Sequence, residues 1–420
     1  PSSTDTWEQD AIHEDVDAAL FDADGDGTQD LYVVSGGNEF WGDADALRDR
    51  LYLNDGTGHF RRADDALPDD MYVNGGAVAP GDYDGDGDTD LFVGGRVVAR
   101  EYGTMPESFL LENDGSARFT DRTDEVAPGL RSVGMVTDAT WADATGNGRR
   151  DLVVVGEWMP ITVFEGANGR LRNRTEALGL DGTTGWWNAV AVVETDDGPP
   201  DFVAGNLGHN ATLRARPDEP VRLYVHDFDE DGDTEPIVTR YRNGTSTPIA
   251  GRDRLAQQLG FIREKFPTYA SFGDATIEEI VPEGTLGAAT VREAKTFSST
   301  YVENDGDGRL MVRPLPDRAQ LSPMYGIWTH NLNRDERPEL VMGGNFYGTH
   351  PAQGRYDASY GTVLRRDSAG QWTARPPASS HLYLDGQVRA LRSLRAADGD
   401  LLLVAARNDD TLQIHRVQVP

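Results

Sequence analysis

The chain has 420 residues, a formal net charge of −32 at pH 7 and no cysteine. The negative charge argues against nucleic acid and anionic lipid as partners, because both are themselves negative. Disulfides and thiolate metal sites are excluded, and no apolar run is long enough to insert into a membrane. Only two lysines, Lys265 and Lys295, accompany 37 arginines. An arginine-rich coding bias would explain the scarce lysine but not the charge, so we expect a halophilic bacterium as the source.

The first motif along the chain is FDADGDGTQDLYVV, residues 21–34, in which alternate aspartates precede an apolar strand. Its carboxylates can point towards one spot, and two glycines permit the sharp turn. Ca²⁺ takes six to eight oxygen ligands and suits such a loop. The predicted ligands are Asp22, Asp24, Asp26, Thr28 and Asp30.

Four further loops repeat this spacing, each with an acid at the ninth position and an apolar run after it. Their predicted ligands are Asp82, Asp84, Asp86, Asp88 and Asp90; Asp143, Thr145, Asn147, Arg149 and Asp151; Asp227, Asp229, Asp231, Asp233 and Glu235; and, in a weaker copy, Asn331, Asn333, Asp335, Arg337 and Glu339. An EF-hand would need glutamate at position twelve and a helix after it, but the first four loops have valine there. We therefore expect three to five Ca²⁺ ions in loops of another kind.

Each loop lies between two apolar strands, and a hairpin with an Asn-Asp-Gly-like turn follows most of them. Four antiparallel strands repeated in this way predict an all-β fold, a β-propeller of four-stranded blades. First strands begin near residues 16, 76, 133, 188, 221, 324 and 387. This count predicts seven blades in one domain over residues 1–420, with six or eight as the alternatives.

Two segments depart from the repeat. Residues 250–298 lose the period of two and space their apolar residues as a helix does, which predicts a helical insertion between the second and third strands of the fifth blade. The last unit has only three strands. Because residues 1–10 resemble an outer strand, we expect this N-terminal strand to close the last blade.

Together, DADGDGTQDLYVVSGGN, DYDGDGDTDLFVGG and the NDGTGHF turns resemble the FG-GAP/VCBS repeat family, whose members include the propeller of integrin α-subunits and many bacterial surface proteins. The resemblance implies a seven-bladed propeller with Ca²⁺ between first and second strands, used for binding rather than catalysis. It also implies an extracytoplasmic location and other domains of a larger surface protein as partners. Thr145 in place of a carboxylate and the asparagines at 331 and 333 depart from the pattern.

The loops at the other end of the predicted blades collect aromatic, amide and arginine side chains, which suit a glycan or protein ligand. Any single tryptophan among them could equally pack between blades. The candidates are Trp41, Tyr72, Arg131, Trp158, Trp186, Trp187, Asn206, His209, Arg240, Tyr241, Asn345 and Tyr347.

No nucleophile or zinc motif is present in the sequence. We therefore expect a non-catalytic, calcium-stabilised binding or adhesion domain that is not an enzyme. Two alternatives stay open. One is a calcium-assisted polysaccharide lyase or glycosidase with His209 or Tyr347 as its base, and the other is a structural spacer in a larger surface protein.

Overall fold

The structure is a computed structural model that describes residues 4–195, 198–335, 337–350 and 354–418. Its fold is all-β, as predicted, with a few short helices. Two compact units are present: unit 1 contains residues 1–139, 166–172 and 214–296, and unit 2 contains residues 140–165, 173–213 and 297–420. The single domain over residues 1–420 stays a prediction.

The first two sheets each have four antiparallel strands in chain order, as the repeat predicts. Sheet 1 contains β1 (Asp15–Phe21), β2 (Asp30–Ser35), β3 (Arg50–Asn54) and β4 (Phe60–Arg62), and sheet 2 contains β5 (Gly75–Gly81), β6 (Asp90–Gly95), β7 (Phe109–Asn113) and β8 (Phe119–Asp121). β1 packs against β5. The core of unit 1 between them is apolar, with Tyr32, Val34 and Leu91 fully buried.

Sheet 3 contains one strand more than the repeat predicts. Its strands are β9 (Met135–Ala142), β10 (Asp151–Met159), β11 (Thr162–Gly166), β12 (Leu171–Asn173) and β13 (Gly185–Trp186), in the order β12-β11-β10-β13 with β9 also paired to β10. β10 is nine residues long, and its end extends beyond β11 to pair with β13. The extra length of β10 provides the place for the fifth strand.

Sheet 4 is interrupted by a complete second sheet. The strands in chain order are β14 (Ala189–Val193), β15 (Asp201–Gly205), β16 (Val221–His226), β17 (Glu235–Arg242), β18 (Thr245–Pro248), β19 (Thr290–Ala294), β20 (Thr300–Asn304) and β21 (Leu310–Pro314). Sheet 4 has the order β14-β15-β20-β21, whereas β16–β19 form an inserted sheet with the order β18-β17-β16-β19. A helical insertion ending at residue 298 would place the third strand of the fifth blade directly after it, which is wrong: Phe202 pairs with Val302, so these strands belong to the fourth repeat.

The helices of the insertion lie between β18 and β19, and not between second and third strands. They are α3 (Arg252–Gln258), α4 (Ile262–Lys265), α5 (Tyr269–Phe272) and α6 (Ile277–Ile280), with a 3₁₀ turn at Thr285–Gly287. Thr268 and Thr276 begin α5 and α6 with capping boxes. Leu259, Ile262 and Ile277 are fully buried in one core with Phe228 of the inserted sheet, and this core holds the insertion together.

The last two sheets belong to unit 2. Sheet 5 contains β22 (Met324–His330), β23 (Glu339–Gly344), β24 (Thr362–Arg366) and β25 (Trp372–Ala374), and sheet 6 contains β26 (Val388–Arg395), β27 (Leu401–Arg407) and β28 (Gln413–Val417). β14 packs against β22, and β22 packs against β26. Sheets 4, 5 and 6 are thus neighbours in space.

The described part of the chain contains seven sheets, but they do not confirm seven blades. Among the described residues, the inserted sheet has its last strand beside its first, unlike the other six sheets, and no sheet closes on itself. The seven-bladed ring therefore stays a prediction, and the insertion within sheet 4 favours six repeats of one kind.

The N-terminal segment forms α1 (Thr4–Gln9) and not the expected outer strand; residues 1–3 lie outside the described residues. The Trp7 ring lies 4.8 Å from that of Tyr52 and 5.9 Å from that of Phe60, so the helix covers the outer strands of sheet 1. The contacts of the Trp7 ring explain why α1 packs against sheet 1. Two further helices, α2 (Thr123–Val126) and α7 (Pro377–Ser380), and 3₁₀ turns at Asp45–Leu47 and Asp317–Gln320 complete the elements. Among the described residues, no helix is long and apolar enough to cross a membrane.

Candidate metal sites

All five acidic loops join the first strand of a sheet to the second, where the sequence places them. In loop 22–30, Asp22 accepts the backbone N–H of Gly25 through Oδ1 and that of Gly27 through Oδ2, both at 2.9 Å. Both glycines have positive φ, 74° and 87°, which side-chain-bearing residues rarely adopt. The first aspartate thus shapes the turn that brings the next carboxylates back towards it.

The first aspartate plays the same part in three other loops. Asp82 accepts N–H groups from Gly85 at 2.7 Å and Gly87 at 3.1 Å. Asp143 and Asp227 likewise each accept two backbone N–H groups of their own loops. The loops are therefore preformed by hydrogen bonds of the chain itself.

The ninth residue clamps the loop to the sheet. Asp30 is fully buried, and its carboxylate accepts N–H groups from Ala23 at 2.9 Å and Asn54 of β3 at 2.8 Å. Asp90 does the same with Tyr83 at 3.1 Å and Asn113 of β7 at 2.9 Å. This acid is required by the backbone whether or not an ion is bound, which explains its presence in every copy.

Neighbouring repeats are joined at these loops by an asparagine. Asn113 donates from Nδ2 to the carbonyl of Ala23 in loop 22–30 at 2.9 Å and to that of Thr89 at 3.2 Å. In unit 2, Asn304 repeats the arrangement with the carbonyls of Ala144 at 3.0 Å and Pro200 at 3.3 Å. The hairpin of one repeat therefore holds the acidic loop of the repeat before it.

Three loops bring carboxylates together closely enough for a shared cation. Their oxygens lie within 4.8 Å of one another in three groups: Asp22, Asp24 and Asp30; Asp82, Asp84 and Asp86; and Asp227, Asp229, Asp231 and Glu235. Burial, aided by the charges of neighbouring aspartates, raises the pKa of Asp90 to about 7 and also raises those of Asp30 and Glu235. A bound cation would counteract the effects of burial and of the neighbouring charges on these pKa values, because it favours the ionised form of each carboxyl group.

The donor set fits a hard cation. Asp229 Oδ1 is buried and has no hydrogen-bond partner among the described residues, and an ionised carboxylate can only accept. All the clustered donors are oxygen atoms, as Ca²⁺ requires. Thr145 Oγ1 in the third loop is also buried without a described partner. These orphaned oxygens are the groups that coordination to an ion would satisfy.

The third and fifth loops do not gather three carboxylates among the described residues. Loop 143–151 contributes only Asp143 and Asp151, and Arg149 lies exposed. In loop 331–339, Arg365 of β24 lies 2.6 Å from Asp335 and 3.8 Å from Glu339, and its hydrogen bond lowers the pKa of Asp335. The acids of this loop are thus paired with a guanidinium of the chain itself. Sequence reasoning missed Arg365, because nothing near it marks it as the partner of a loop 30 residues away.

The aromatic candidates for ligand binding divide by their burial. Trp187 is fully buried and donates from Nε1 to the Thr183 carbonyl at 3.0 Å, and Trp158 is only 5% exposed. Trp186, which is partly exposed, stacks edge-on with Trp158 at 5.0 Å. Trp187 and Trp158 therefore belong to the core of unit 2, because no ligand could reach them without rearrangement.

Two amide candidates are also structural. Asn206 is fully buried and Asn345 is 2% exposed. Asn345 Nδ2 donates to the carbonyls of Ser359 and Gly386, both at 2.8 Å. Asn345 thus ties two loops together, and burial keeps both amide side chains away from a ligand.

The remaining candidates reach the surface to different degrees. Trp41 and His209 are exposed, and Tyr72, Arg131, Arg240, Tyr241 and Tyr347 are partly exposed. The guanidinium of Arg100 lies 3.4 Å above the Trp41 ring, and that of Arg355 lies 4.9 Å from the Tyr347 ring. His209 Nε2 lies 2.8 Å from Ser298 Oγ. Burial raises the pKa of Tyr347, so it would be a poor base near neutral pH.

Residues 22–93 match the family model of the FG-GAP-like repeat. The match covers the loops of sheets 1 and 2, and it confirms the resemblance that the sequence motifs indicate. No curated protein is similar to the chain in sequence.

Several solved structures align with most of the chain at low similarity. The exotype rhamnogalacturonan lyase YesX is 14% identical with a TM-score of 0.31, over 96% of this chain and 72% of that one. The Vibrio cholerae biofilm matrix protein Bap1 is 10% identical with a TM-score of 0.34, over 93% and 74%. An ancestral GH74 enzyme is 11% identical with a TM-score of 0.37, over 96% of this chain and 48% of that one.

These alignments correct one prediction, that the chain is not an enzyme. A rhamnogalacturonan lyase and a GH74 enzyme are among the aligned structures, so the prediction is not retained. The TM-scores are too low to carry an activity over to this chain, and the description of its fold comes from its own strand pairing.

Proposed function

We propose that the chain is a calcium-stabilised, extracytoplasmic repeat domain that holds Ca²⁺ in loops 22–30, 82–90 and 227–235. The observation that carries the proposal is the grouping of ten carboxylates in these loops within 4.8 Å of their partners. None of the ten has an arginine or lysine partner within the described residues. Unrelieved repulsion of this kind is costly, and a divalent cation removes it.

The ions would act on stability. An ion that binds only the folded chain stabilises it by roughly 2.7 kcal/mol per site at a hundredfold excess over Kd. Calcium sites of extracellular modules bind at about 10⁻⁴–10⁻³ M, which suits an extracytoplasmic domain of this charge. Because backbone N–H groups already hold Asp22, Asp82 and Asp227 in place, little ordering of the loops is left for the ion to cause.

Thermal unfolding tests the proposal. We expect EDTA to lower Tm by about 5 °C or more and Ca²⁺ to restore it, with Mg²⁺ less effective because it demands octahedral geometry. The double variant Asp24→Asn, Asp84→Asn should lose most of the response. Asp335→Asn is the matched control, since Arg365 neutralises that loop, and it should keep the response. A Tm that neither EDTA nor Ca²⁺ moves would contradict the proposal.

The same proposal includes a glycan or protein ligand at the loops opposite the acidic ones. The exposed ring of Trp41, 53% exposed under Arg100, supports it. Trp41→Ala should abolish binding to any glycan that the wild-type chain retains on an array and leave the calcium response intact. Trp7→Ala is the control, because Trp7 is partly exposed but packs on Tyr52. Unchanged array binding by Trp41→Ala would remove that residue from the site.

A further inference from the structure

We propose that a cavity at one end of sheet 1, here called the sheet 1 cavity, binds a neutral sugar residue. The cavity measures about 420 Å³, and α1, the turn at Asp45–Leu47, the start of β3 and the connection from β4 to β5 line it. Ligand pockets have volumes of about 300–1,000 Å³. β2 runs from Asp30 of the acidic loop at one end to Ser35 at the other, where the cavity lies. The cavity and loop 22–30 are therefore at opposite ends of the same strand.

The walls of the cavity are built from buried polar groups. Asp10 is 7% exposed, accepts the Tyr52 hydroxyl at 2.7 Å and is paired with Arg62. Asp49 is 5% exposed and accepts the Tyr32 hydroxyl and the Ser35 N–H, both at 2.8 Å. Buried carboxylates held in this way keep a fixed orientation, which is what a specific polar site needs.

One donor in the wall has no partner. Arg50 is 3% exposed, and its terminal nitrogens reach Asp15 and the Tyr52 hydroxyl. Its Nε–H is buried without any hydrogen-bond partner in the described part of the chain. A buried donor without a partner costs about 1–3 kcal/mol, so the hydrogen bonding of the Arg50 guanidinium is incomplete in this wall.

His13 adds an acceptor. Its Nδ1 lies 3.1 Å from the Ala46 carbonyl, which can only accept, so Nδ1 carries the proton and Nε2 is left as an acceptor in the neutral ring. Burial and the charge of Arg50 lower the pKa of His13 and keep the ring neutral near pH 7. The wall therefore offers donors and acceptors side by side.

The charge pattern favours a neutral ligand with many hydroxyl groups. Most charged side chains of the wall already have an opposite partner: Arg62 with Asp10 and Asp64, Arg48 with Asp69, and Arg50 with Asp15. A charged ligand would have to compete with these pairs. A hydroxyl group can add to them, because a carboxylate has about four lone-pair sites and a guanidinium has five N–H donors. A neutral sugar carries several such groups at fixed spacing.

Ligand-observed saturation-transfer NMR on the full chain in Ca²⁺ tests the inference. The probes are D-glucose, D-galactose and D-mannose as neutral sugars, and D-galacturonate as an anion. We expect transfer to at least one neutral sugar and weaker transfer to D-galacturonate. Transfer to none of the three neutral sugars, or a preference for the anion, would overturn the inference.

Two variants locate the binding. Asp45→Asn and His13→Gln change acceptors of the wall and should each weaken binding about tenfold, as loss of one hydrogen bond to a charged or polar group does. Asp43→Asn is the matched control for Asp45→Asn, because both aspartates are exposed but Asp43 lies outside the wall of the cavity. Equal affinity in all three variants would place the sugar elsewhere.

The calcium response of Tm separates this inference from the proposed function. The two wall variants should keep that response, which also shows that they fold. Sugar binding without a calcium response would refute the calcium proposal alone, and a calcium response without sugar binding would refute this inference alone.

Discussion

Loops 82–90 and 331–339 occupy the same place in their repeats and deal with the same charge in two ways. In the first, Asp82, Asp84 and Asp86 lie close together, and no ion pair with an arginine or lysine is found for them among the described residues. In the second, asparagines replace two carboxylates and Arg365 pairs with the acids that remain. One repeat therefore offsets the charge of this loop with its own arginine, whereas in the other the offset would come from the ion that we propose. If that proposal holds, the number of acidic loops in a sequence exceeds the number of ions.

In sheet 4, too, an arginine of the chain itself lies beside the acid at the end of the loop. Asp201 takes the place of Asp30 in a loop that is one residue shorter, and its carboxylate accepts the N–H of Asn304 of β20 at 2.7 Å, as Asp30 and Asp90 do with β3 and β7. Arg366 lies 3.4 Å from Asp201 and 2.6 Å from Glu303. The clamp is thus kept in a loop that is one residue shorter than the others, which separates its role from that of the proposed ion ligands.

The largest expected effect comes from removing the clamp. Asp90→Ala leaves the N–H groups of Tyr83 and Asn113 without their acceptor in a buried place, so the free energy of unfolding should fall by about 3 kcal/mol. Urea unfolding in EDTA measures it, because in Ca²⁺ the comparison variant would also lose a proposed ion ligand. Asp86→Ala, an exposed member of the same loop, should cost much less, and equal losses in the two variants would contradict a clamp at position nine.

Removing the guanidinium group of Arg365 should have a smaller effect on stability. Arg365→Gln leaves Glu339, which is 2% exposed, without its charge partner; because Arg365 itself is 43% exposed, we expect a loss of about 1 kcal/mol. EDTA and Ca²⁺ should not change this loss. The triple variant with Asn331→Asp and Asn333→Asp should acquire a calcium response in its place. A calcium-insensitive triple variant would mean that the loop backbone, and not the charge, decides ion binding.

The two loops should respond to pH with opposite sign. Without calcium, Asp90 has a pKa of about 7 when folded, above its ordinary value, so its contribution to stability falls as pH rises from about 4 to 7. The pKa of Asp335 is lowered by Arg365, so its contribution is present above the ordinary value and is lost as pH falls below it. Urea unfolding of Asp90→Asn and Asp335→Asn in EDTA at pH 3 to 8 measures both. The same pH trend in both variants would refute the contrast.

The smallest effect is expected in loop 143–151, which is intermediate between loop 82–90 and loop 331–339. Thr145→Asp adds a third carboxylate beside Asp143 and Asp151, where the threonine hydroxyl now has no described partner. We expect one more Ca²⁺ bound per chain and a Tm that changes by a few degrees at most. Metal analysis after equilibrium dialysis counts the ions, with Thr28→Asp as the control in a loop that already has three carboxylates.

Features that depend on neighbouring residues could be predicted from the sequence. The seven first strands and the five loops lie where the alternation of apolar residues and the spacing of acids place them, since both patterns are local. Pairings between distant segments could not. The hairpin β20–β21 follows the inserted sheet in sequence but completes sheet 4, and nothing in residues 300–314 indicates which sheet they join.

The ligand candidates show the same limit at the level of side chains. A tryptophan in a glycine-rich loop looks alike in sequence whether it faces solvent, as Trp41 does, or fills a core, as Trp187 does. The sheet 1 cavity also gives no sequence signal, because Asp10, Asp49 and Arg62 are far apart along the chain and meet only through the folding of α1 onto β3 and β4.

The insertion within sheet 4 has a consequence for the order of folding. Before β15 can pair with β20, the chain must close a loop formed by residues 206–299. For a flexible loop of that length the entropy cost is about 4 kcal/mol. The inserted segment has a sheet and an apolar core of its own, so it can become compact first and reduce the freedom that closure must remove. We expect sheet 4 to form late, after residues that come between its strands in sequence, and a growing chain would expose the edge of β15 until β20 is made.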